Sequence, residues 1–587
     1  MEQGKGPRAL LRRFARQENL IGFACSMGLC LLREGPAETL HRIRLRLGRK
    51  HAERKFVRRL LNPAPLTLRR QRETAFPEDI SFSLLVPLYN TPADFLREMI
   101  ASVQAQTFSR WELCLADGSD EAHGEVEALC REAAERDPRI RYRKLERNGG
   151  ISANTNACLE LATGSYIALF DHDDLLLPGA LYEMASAIAA QDADFLYSDE
   201  MVFASPDRRR VIGLHFKPDF APDDLLANNY ICHLTVFRAA LLERAGRFRS
   251  AFDGSQDHDL ILRLTAQARR IVHIPKILYL WRSHPASVAG DIGSKTYAVD
   301  AGVRAVRDAL AARGIEAEVA SSPVYPTMYH VTYPIRGCPR ISLIMDGGAA
   351  PEQAKADLAA LAAAAGDGLP LECRIATRGA TPGERLQAAA GEAAGDYLLF
   401  VAPGLRTDNP AWIREMLMLC QREDTGAVGG LVTFADGRVR HAGLVLGLGR
   451  GGLLGRGHYR ADGAGAGYFG QLAIVEDVSA VSGECLMISR ERFRDAGGFD
   501  PALGAALYDA DLCLRLRERG LLVVYTPYPA LRGGEARAFP MAYGAELPGY
   551  AGAAAAFRAR WQEALAAGDP YYNPNLTLEL SDFRVRG

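Results

Sequence analysis

The segment SFSLLVPL, starting at residue 81, returns as RISLIMDG at residue 340, and the later parts of the frame follow in the same order. GSYIALFDHDDLLLPGAL pairs with GDYLLFVAPGLRTDNPAW, RAALLERAGRF with SRERFRDAGGF, and QDHDLILRL with YDADLCLRL. Such a repeat predicts two copies of one folding unit in tandem. The copies differ in one place above all. Where the first writes DHDD (Asp171, His172, Asp173, Asp174), the second writes VAPG, with Ala402, Pro403 and Gly404 in place of the acids. Between its first strand and this loop the second copy is also shorter by about 28 residues, roughly one helix and one strand.

The length of 587 residues fits two to four domains of about 150 residues each. Lys plus Arg number 70 against 71 Asp plus Glu, so overall charge gives no reason to expect nucleic acid. The first 75 or so residues are nevertheless basic, as in RALLRRFARQ and HRIRLRLGRKHAERKFVRRLL. The apolar run LIGFACSMGLCLL within them is too short to span a bilayer and reads neither as a membrane helix nor as a secretory signal. Arginine-flanked apolar residues suit either helices packed on the body or a peripheral position on the inner face of an anionic membrane. The 11 cysteines form no CxxC pair and no zinc spacing, as expected of buried thiols in a reducing compartment.

From Phe82 onward strands and helices alternate, the mark of a mainly parallel α/β sheet. In such sheets ligands bind beyond the carboxyl ends of the strands. The loops there read PLYN, ADGSD, ERNGG and DHDD, so polar residues collect where a site belongs. Three neighbouring carboxylates repel one another unless a cation or several donors hold them ionised. A loop that only caps the following helix needs one acid, not three.

VPLYN, ADGSD, the run NGGISANTNACLELATGSYIALFDHDDLLLPGALYEM, YSDE, FKPD, NYICHL and GSQDHDLILRL together resemble a family-2 glycosyltransferase of the GT-A fold. The resemblance is to tandem-domain members associated with bacterial O-antigen, capsule and rhamnan-type polysaccharides, and it covers nearly everything after residue 80. It implies two tandem GT-A-like domains behind a basic helical N-terminal region. The expected boundaries are 1–79 for that region, 80–295 for the catalytic domain, 296–339 for a helical linker, 340–535 for a degenerate second domain and 536–587 for a C-terminal extension packed on the body. It further implies inverting transfer of a hexosyl or deoxyhexosyl group from a nucleotide-diphosphate-sugar donor to a glycan or lipid-linked acceptor. The work would be done in the cytoplasm, with Mn or Mg as cofactor.

By the same resemblance Asp173 is a metal ligand, Asp171 contacts ribose or metal, and Asp174 supports the loop or caps its helix. His284 in WRSHPAS is the candidate third ligand, although the related proteins usually place a histidine just before Trp-Arg, where Leu280 stands here. A surface histidine is the other reading of His284. Asp257 matches the general base, with Gln256 beside it on the sugar or acceptor side, while Asp259 orients the helix. Pro87, Tyr89 and Asn90 flank the nucleotide base and Asp117 accepts from its imide. Asn148, Gly149 and Gly150 form a close-approach loop for the nucleotide, and Asn156 in the next helix matches a family asparagine that joins them there. Asp199 and Glu200 in YSDE either face the sugar or acceptor or belong to a solvated loop, and Met201 stands where a further acid is common. The second copy keeps Asp509 and Asp511 but no metal loop, and Asp346 is its only acid at a first-strand end. That combination predicts a catalytically silent domain. HAGLVLGLGRGG lacks the context of a phosphate-binding loop. A non-catalytic polysaccharide-assembly scaffold and a nucleotidyltransferase-like enzyme are the alternatives, and a haloacid-dehalogenase-like phosphohydrolase would need its acids on the first core strand.

Overall fold

The computed structural model describes residues 50–586 apart from 285–295, 367, 450 and 536–539. The apolar run at 20–32 and most of the basic region lie outside the described residues. A helix over residues 50–61 belongs to one compact unit, and Pro63–Phe583 form the other. The helix Pro65–Glu73 opens the second unit and carries Arg69, Arg70 and Arg72 on a surface with no buried residue. No helix among the described residues is long and apolar enough to cross a membrane.

The first sheet is built on β1 (Phe82–Leu88), β2 (Trp111–Asp117), β3 (Ile140–Lys144), β4 (Tyr166–Leu169), β5 (Leu175–Leu176), β6 (Phe195–Ala204), β7 (Val211–His215), β8 (Thr235–Arg238) and β9 (Ile271–Ser283). Its order is β3-β2-β1-β4-β8-β6-β9-β5, with β7 added beside β6. β1 and β2 are buried along their whole length, as central parallel strands covered on both faces must be. The helix Ala93–Gln104 turns Leu96, Met99, Ile100 and Val103 inward at helical spacing. Pairing is parallel from β3 to β4. Beyond β4 it is mixed, because β8 runs antiparallel to both β4 and β6.

The repeat appears as a second sheet. Here β12 (Ile341–Asp346), β13 (Leu371–Ala376), β14 (Tyr397–Val401), β15 (Thr425–Thr433), β19 (Glu476–Asp477), β20 (Cys485–Ser489) and β21 (Leu522–Arg532) follow the order β13-β12-β14-β20-β15-β21-β19, with β16 (Val439–His441) added beside β15. From β13 to β21 this order matches that from β2 to β9, with the outer strand β3 missing, which is where the shorter sequence falls; β19 is no counterpart of β5, whose pairing with the end of β9 is matched by a single bridge of Arg406 to Arg532. The chain is thus two GT-A-like α/β units in tandem.

The segment expected as a helical linker holds more than a helix. After the helix Thr296–Ala312 it forms a hairpin of β10 (Glu318–Ser321) and β11 (Tyr329–Thr332). Ala305, Val306, Leu310, Val319, Tyr329 and Val331 from this segment lie in one apolar core with Leu85 and Ile167 of the first sheet and Leu343 and Val524 of the second. The C-terminal residues also join the two halves. Asn573 Nδ2 donates to both carboxylate oxygens of Asp199, at 3.1 and 3.0 Å, and to the Lys217 carbonyl.

Candidate active site

β4 delivers the acidic loop from the centre of the sheet, and each acid meets a different partner. Asp174 is fully buried and accepts from Tyr279 Oη and the Arg282 backbone N–H, both at 2.6 Å, so it ties the loop to β9. Burial, with the charges of Asp173 and Asp171, raises its carboxyl well above the usual range. Asp173 Oδ2 lies 2.8 Å from His284 Nε2, just beyond the end of β9, so the structure brings these two expected ligands together. Asp171 has a side chain 48% exposed, and its Oδ2 is 3.5 Å from His233 Nε2. Partial desolvation raises the Asp171 carboxyl, with Asp173 and Asp257 adding to the rise and His233 and His172 opposing it.

His233 is the site residue the sequence reading missed. It is buried, stacks on Tyr279 with ring centres 4.5 Å apart, and packs its ring against the edge of Trp281. Its Nδ1 is buried without a hydrogen-bond partner among the described residues. Ligand atoms of Asp171, Asp174 and His233 lie within 4.8 Å of one another, but Asp174 is committed to β9. His233 lies in NYICHL, a segment whose resemblance was recognised without any residue in it being given a role.

Asp257 stands in the first turn of the helix Gln256–Thr265, where the helix dipole favours a carboxylate. Asn229 Nδ2 donates to its Oδ2 at 3.0 Å, and Cys232 Sγ is 3.7 Å away. Asp259 is buried and paired with Arg249 and Arg263, as its helix-orienting reading requires. Gln256 Oε1 accepts from the Gly254 backbone N–H at 2.9 Å.

On the nucleotide side, Pro87 pairs with Ala116 inside the sheet and Tyr89 is an exposed aromatic at the end of β1. Asn90 Nδ2 donates to Asp120 at 2.9 Å, joining the first two strand-end loops. Asn148 Oδ1 accepts from the Gly150 N–H and from Asn154 Nδ2, while Asn154 Oδ1 accepts from the Gly149 N–H. Gly150 has φ +90, and a Cβ there would sit 2.6 Å from Asp253 Oδ2, so this turn requires glycine. Asp117 is buried at the end of β2 and accepts from the Ser119 N–H, Tyr142 Oη and Lys144 Nζ at 2.8 to 3.0 Å. These donors hold its carboxyl below the usual range despite burial.

Three expected contacts are corrected. Asn156 spends its amide on the Phe248 backbone, donating at 2.9 Å and accepting at 3.1 Å, so it fastens a helix. Asp199 is 0% exposed and held by His273, Asn573 and the Lys217 N–H. Glu200 is 3% exposed and paired with Lys217 and His215. Neither acid faces a sugar, nor do they form a solvated loop, because β7 and the C-terminal segment cover them.

In the second sheet the corresponding positions are consumed internally. Asp346 is held by both arms of Arg385, at 2.6 and 2.8 Å. Asp509 is buried and accepts from Tyr543 Oη and from the Gly483 and Ala510 backbone N–H groups. The glycine-rich HAGLVLGLGRGG stretch leads into a hairpin of β17 (Leu444–Leu446) and β18 (Leu454–Arg456). Asp346→Ala should therefore leave sugar transfer unchanged. A loss as deep as that of Asp173→Ala in the same assay would show that the second unit takes part in the chemistry.

An acid-bearing strand end at the centre of this sheet defines the class as a GT-A-type domain. Residues 83–245 match the family described as Glycosyl transferase family 2. The chain is 37% identical over 541 residues to "Uncharacterized protein y4gI" of Sinorhizobium fredii, covering 85% of this chain and 58% of that one. It is 32% identical over 558 residues to "O-antigen biosynthesis protein RfbC" of Myxococcus xanthus, covering 89% and 42%. The chain thus spans about half the length of these curated relatives. Among solved structures, S. aureus TarS 1-349 in complex with UDP-GlcNAc aligns with a TM-score of 0.32 and 20% identity, over 39% of this chain and 66% of that one.

Proposed function

We propose that the protein is an inverting glycosyltransferase that moves a sugar from a nucleotide-diphosphate-sugar donor to a glycan or lipid-linked acceptor in bacterial surface polysaccharide synthesis. The observation that carries this reading is the gathering of Asp171, Asp173 and His284 at one strand end, with Asp257 across the same cleft. Carboxylates crowded at that point favour a divalent cation, and the oxygen and imidazole donors suit Mn or Mg. Asp173 and His284 would hold it, with Asp171 beside them, and His233, whose Nε2 lies 3.5 Å from Asp171 Oδ2, offers a further imidazole. When bound, such an ion neutralises the charge that grows on the diphosphate as it leaves.

The remaining chemistry belongs to this chain's own side chains. Asp257 takes the proton of the acceptor hydroxyl while the new bond to C1 forms and the C1–O bond to the diphosphate breaks. Asn229 fixes one oxygen of Asp257, which sets the direction of the other. Tyr89, Asn90 and the Asn148–Gly150 turn would flank the nucleotide, with Asp117 shaping the base end through Lys144 and Tyr142. We place the reaction in the cytoplasm or at the inner membrane face, where the arginine-bearing helix Pro65–Glu73 suits peripheral contact with anionic lipid.

UDP, dTDP and GDP, each with and without Mn, provide the test by thermal stabilisation. A ligand at 100-fold excess over Kd stabilises the native state by about 2.7 kcal/mol. One nucleotide should raise the midpoint only with metal, and Asp173→Ala should lose that rise. If no nucleotide acts under any metal, a non-catalytic assembly scaffold becomes the better reading.

A further inference from the structure

Residues 228–234, between the helix Pro222–Ala227 and β8, carry contacts to both sides of the cleft. Asn229 donates to Asp257 on one side, and His233 lies against Asp171 on the other. Cys232, between them, has φ +35, a backbone region that residues other than glycine occupy at a cost of about 1–3 kcal/mol unless the surroundings impose it. Something must impose it here. Lys217 is 0% exposed, and its Nζ donates to the Ile231 carbonyl at 2.6 Å and to the His233 carbonyl. Its third contact is the Glu200 carboxylate at 3.0 Å, so every hydrogen of the ammonium is committed.

Glu200 is held in turn. His215 Nδ1 lies 3.1 Å from its Oε1, and the His215 ring stacks on Phe469 from the second half of the chain at 4.0 Å and 11°. Tyr468, next to Phe469, accepts from the Phe216 N–H and donates to the Leu214 carbonyl, which fixes that contact on β7. Lys217 and His215 hold the Glu200 carboxyl down at about 2 against the burial that would raise it. A buried ion pair is no more stabilising than apolar residues of the same volume. Two of this ammonium's three bonds go to the carbonyls of one short loop, so its distinctive contribution is the conformation of that loop.

We propose that Lys217 and Glu200 are positioning residues, which preset the loop 228–234 so that Asn229 and His233 hold Asp257 and Asp171 in register. The effect on turnover rests on the glycosyl-transfer reading, whereas the effect on the loop does not.

Three variants test this: Glu200→Gln, Lys217→Met and the two combined. Each single change leaves a buried charge without its partner and should lower the thermal midpoint. The double variant removes both charges, so its midpoint should lie above those of the single variants, and below the wild type by the cost of the unpaired Ile231 and His233 carbonyls. Its loop should not recover, because the donors to Ile231 and His233 are gone. Hydrogen–deuterium exchange in peptides spanning 228–234 should be faster in the double variant by about 10-fold or more, with exchange in β1 and β2 unchanged. Turnover should fall about 10- to 100-fold, and the donor KM should rise, because the loop also holds Asp171 on the proposed donor side. A double variant with wild-type protection of 228–234 overturns the proposal, and so does faster exchange with wild-type turnover. If the wild-type protein transfers no sugar to any acceptor, the glycosyl-transfer reading fails, while the exchange measurement still decides whether Lys217 sets the loop.

Discussion

Asp257→Asn should cut turnover by about 10²- to 10⁴-fold, the usual contribution of a positioned general base. Metal-dependent stabilisation by nucleotide should survive the change, because the proposed metal and donor contacts are Asp171, Asp173 and His284. The asparagine keeps the shape of the side chain and its place in the first helical turn, and its carbonyl oxygen can still accept from Asn229. It cannot take the proton of the acceptor hydroxyl. The measurement is steady-state transfer by the variant beside nucleotide stabilisation of the same preparation. Loss of both would mean that Asp257 helps to bind the donor, and wild-type turnover would place the base on another residue. Asp173→Ala should behave in the opposite way and lose the nucleotide effect first.

The positions of these two acids were legible in the sequence, because each stands near a strand or helix end that periodicity locates; their different roles are what the resemblance to family-2 glycosyltransferases implies. The repeat was legible in the same way. A deficit of one helix and one strand in the second copy corresponds to the absent partner of β3. What the sequence concealed were contacts made by distant segments. Asp199 and Glu200 read as strand-end acids, but Asn573 reaches Asp199 from 374 residues away, and β7 folds Lys217 and His215 over Glu200. Asp117 looks free at the end of β2, yet the register of β3 sets Lys144 directly beside it. His233 carried no spacing signal, since one histidine in an apolar segment is more often part of a core. Its relation to Asp171 exists only because Lys217 holds the loop that bears it.

The seam between the two halves should respond to pH through Asp224. The helix Pro222–Ala227 meets β19 there in a reciprocal pair: the Asp223 N–H donates to Asp477 Oδ2 at 2.9 Å, and the Asp477 N–H donates to Asp224 Oδ2 at 2.8 Å. Glu476 is buried beside them, and Arg422, bound to Asp223, is the cation that pairs with the group. Burial pushes the Asp224 carboxyl up to about 8, with the charge of Asp223 adding to the rise. Burial also lifts Asp477 and Glu476 well above their ordinary values. A group whose native value exceeds its unfolded value contributes stability that is complete below the unfolded value and is lost as pH rises toward the native one. For Asp224 that window runs from about 4, the ordinary value for an aspartate, to about 8. Each pH unit within it costs up to about 1.4 kcal/mol, so the step from pH 5.5 to 7.5 should remove up to about 3 kcal/mol through this residue. Buried His441 and His458, both held near 3 by burial, act in the opposite sense below their unfolded values, so the wild-type curve alone does not isolate Asp224. The difference between wild type and Asp224→Asn does. The asparagine carbonyl still accepts from the Asp477 N–H but carries no proton to lose. The variant should therefore gain on the wild type as pH rises from 5.5 to 7.5, read as diverging thermal midpoints. Midpoints that stay parallel across that range would mean that Asp224 is already ionised in the native state, with its charge balanced by Arg422.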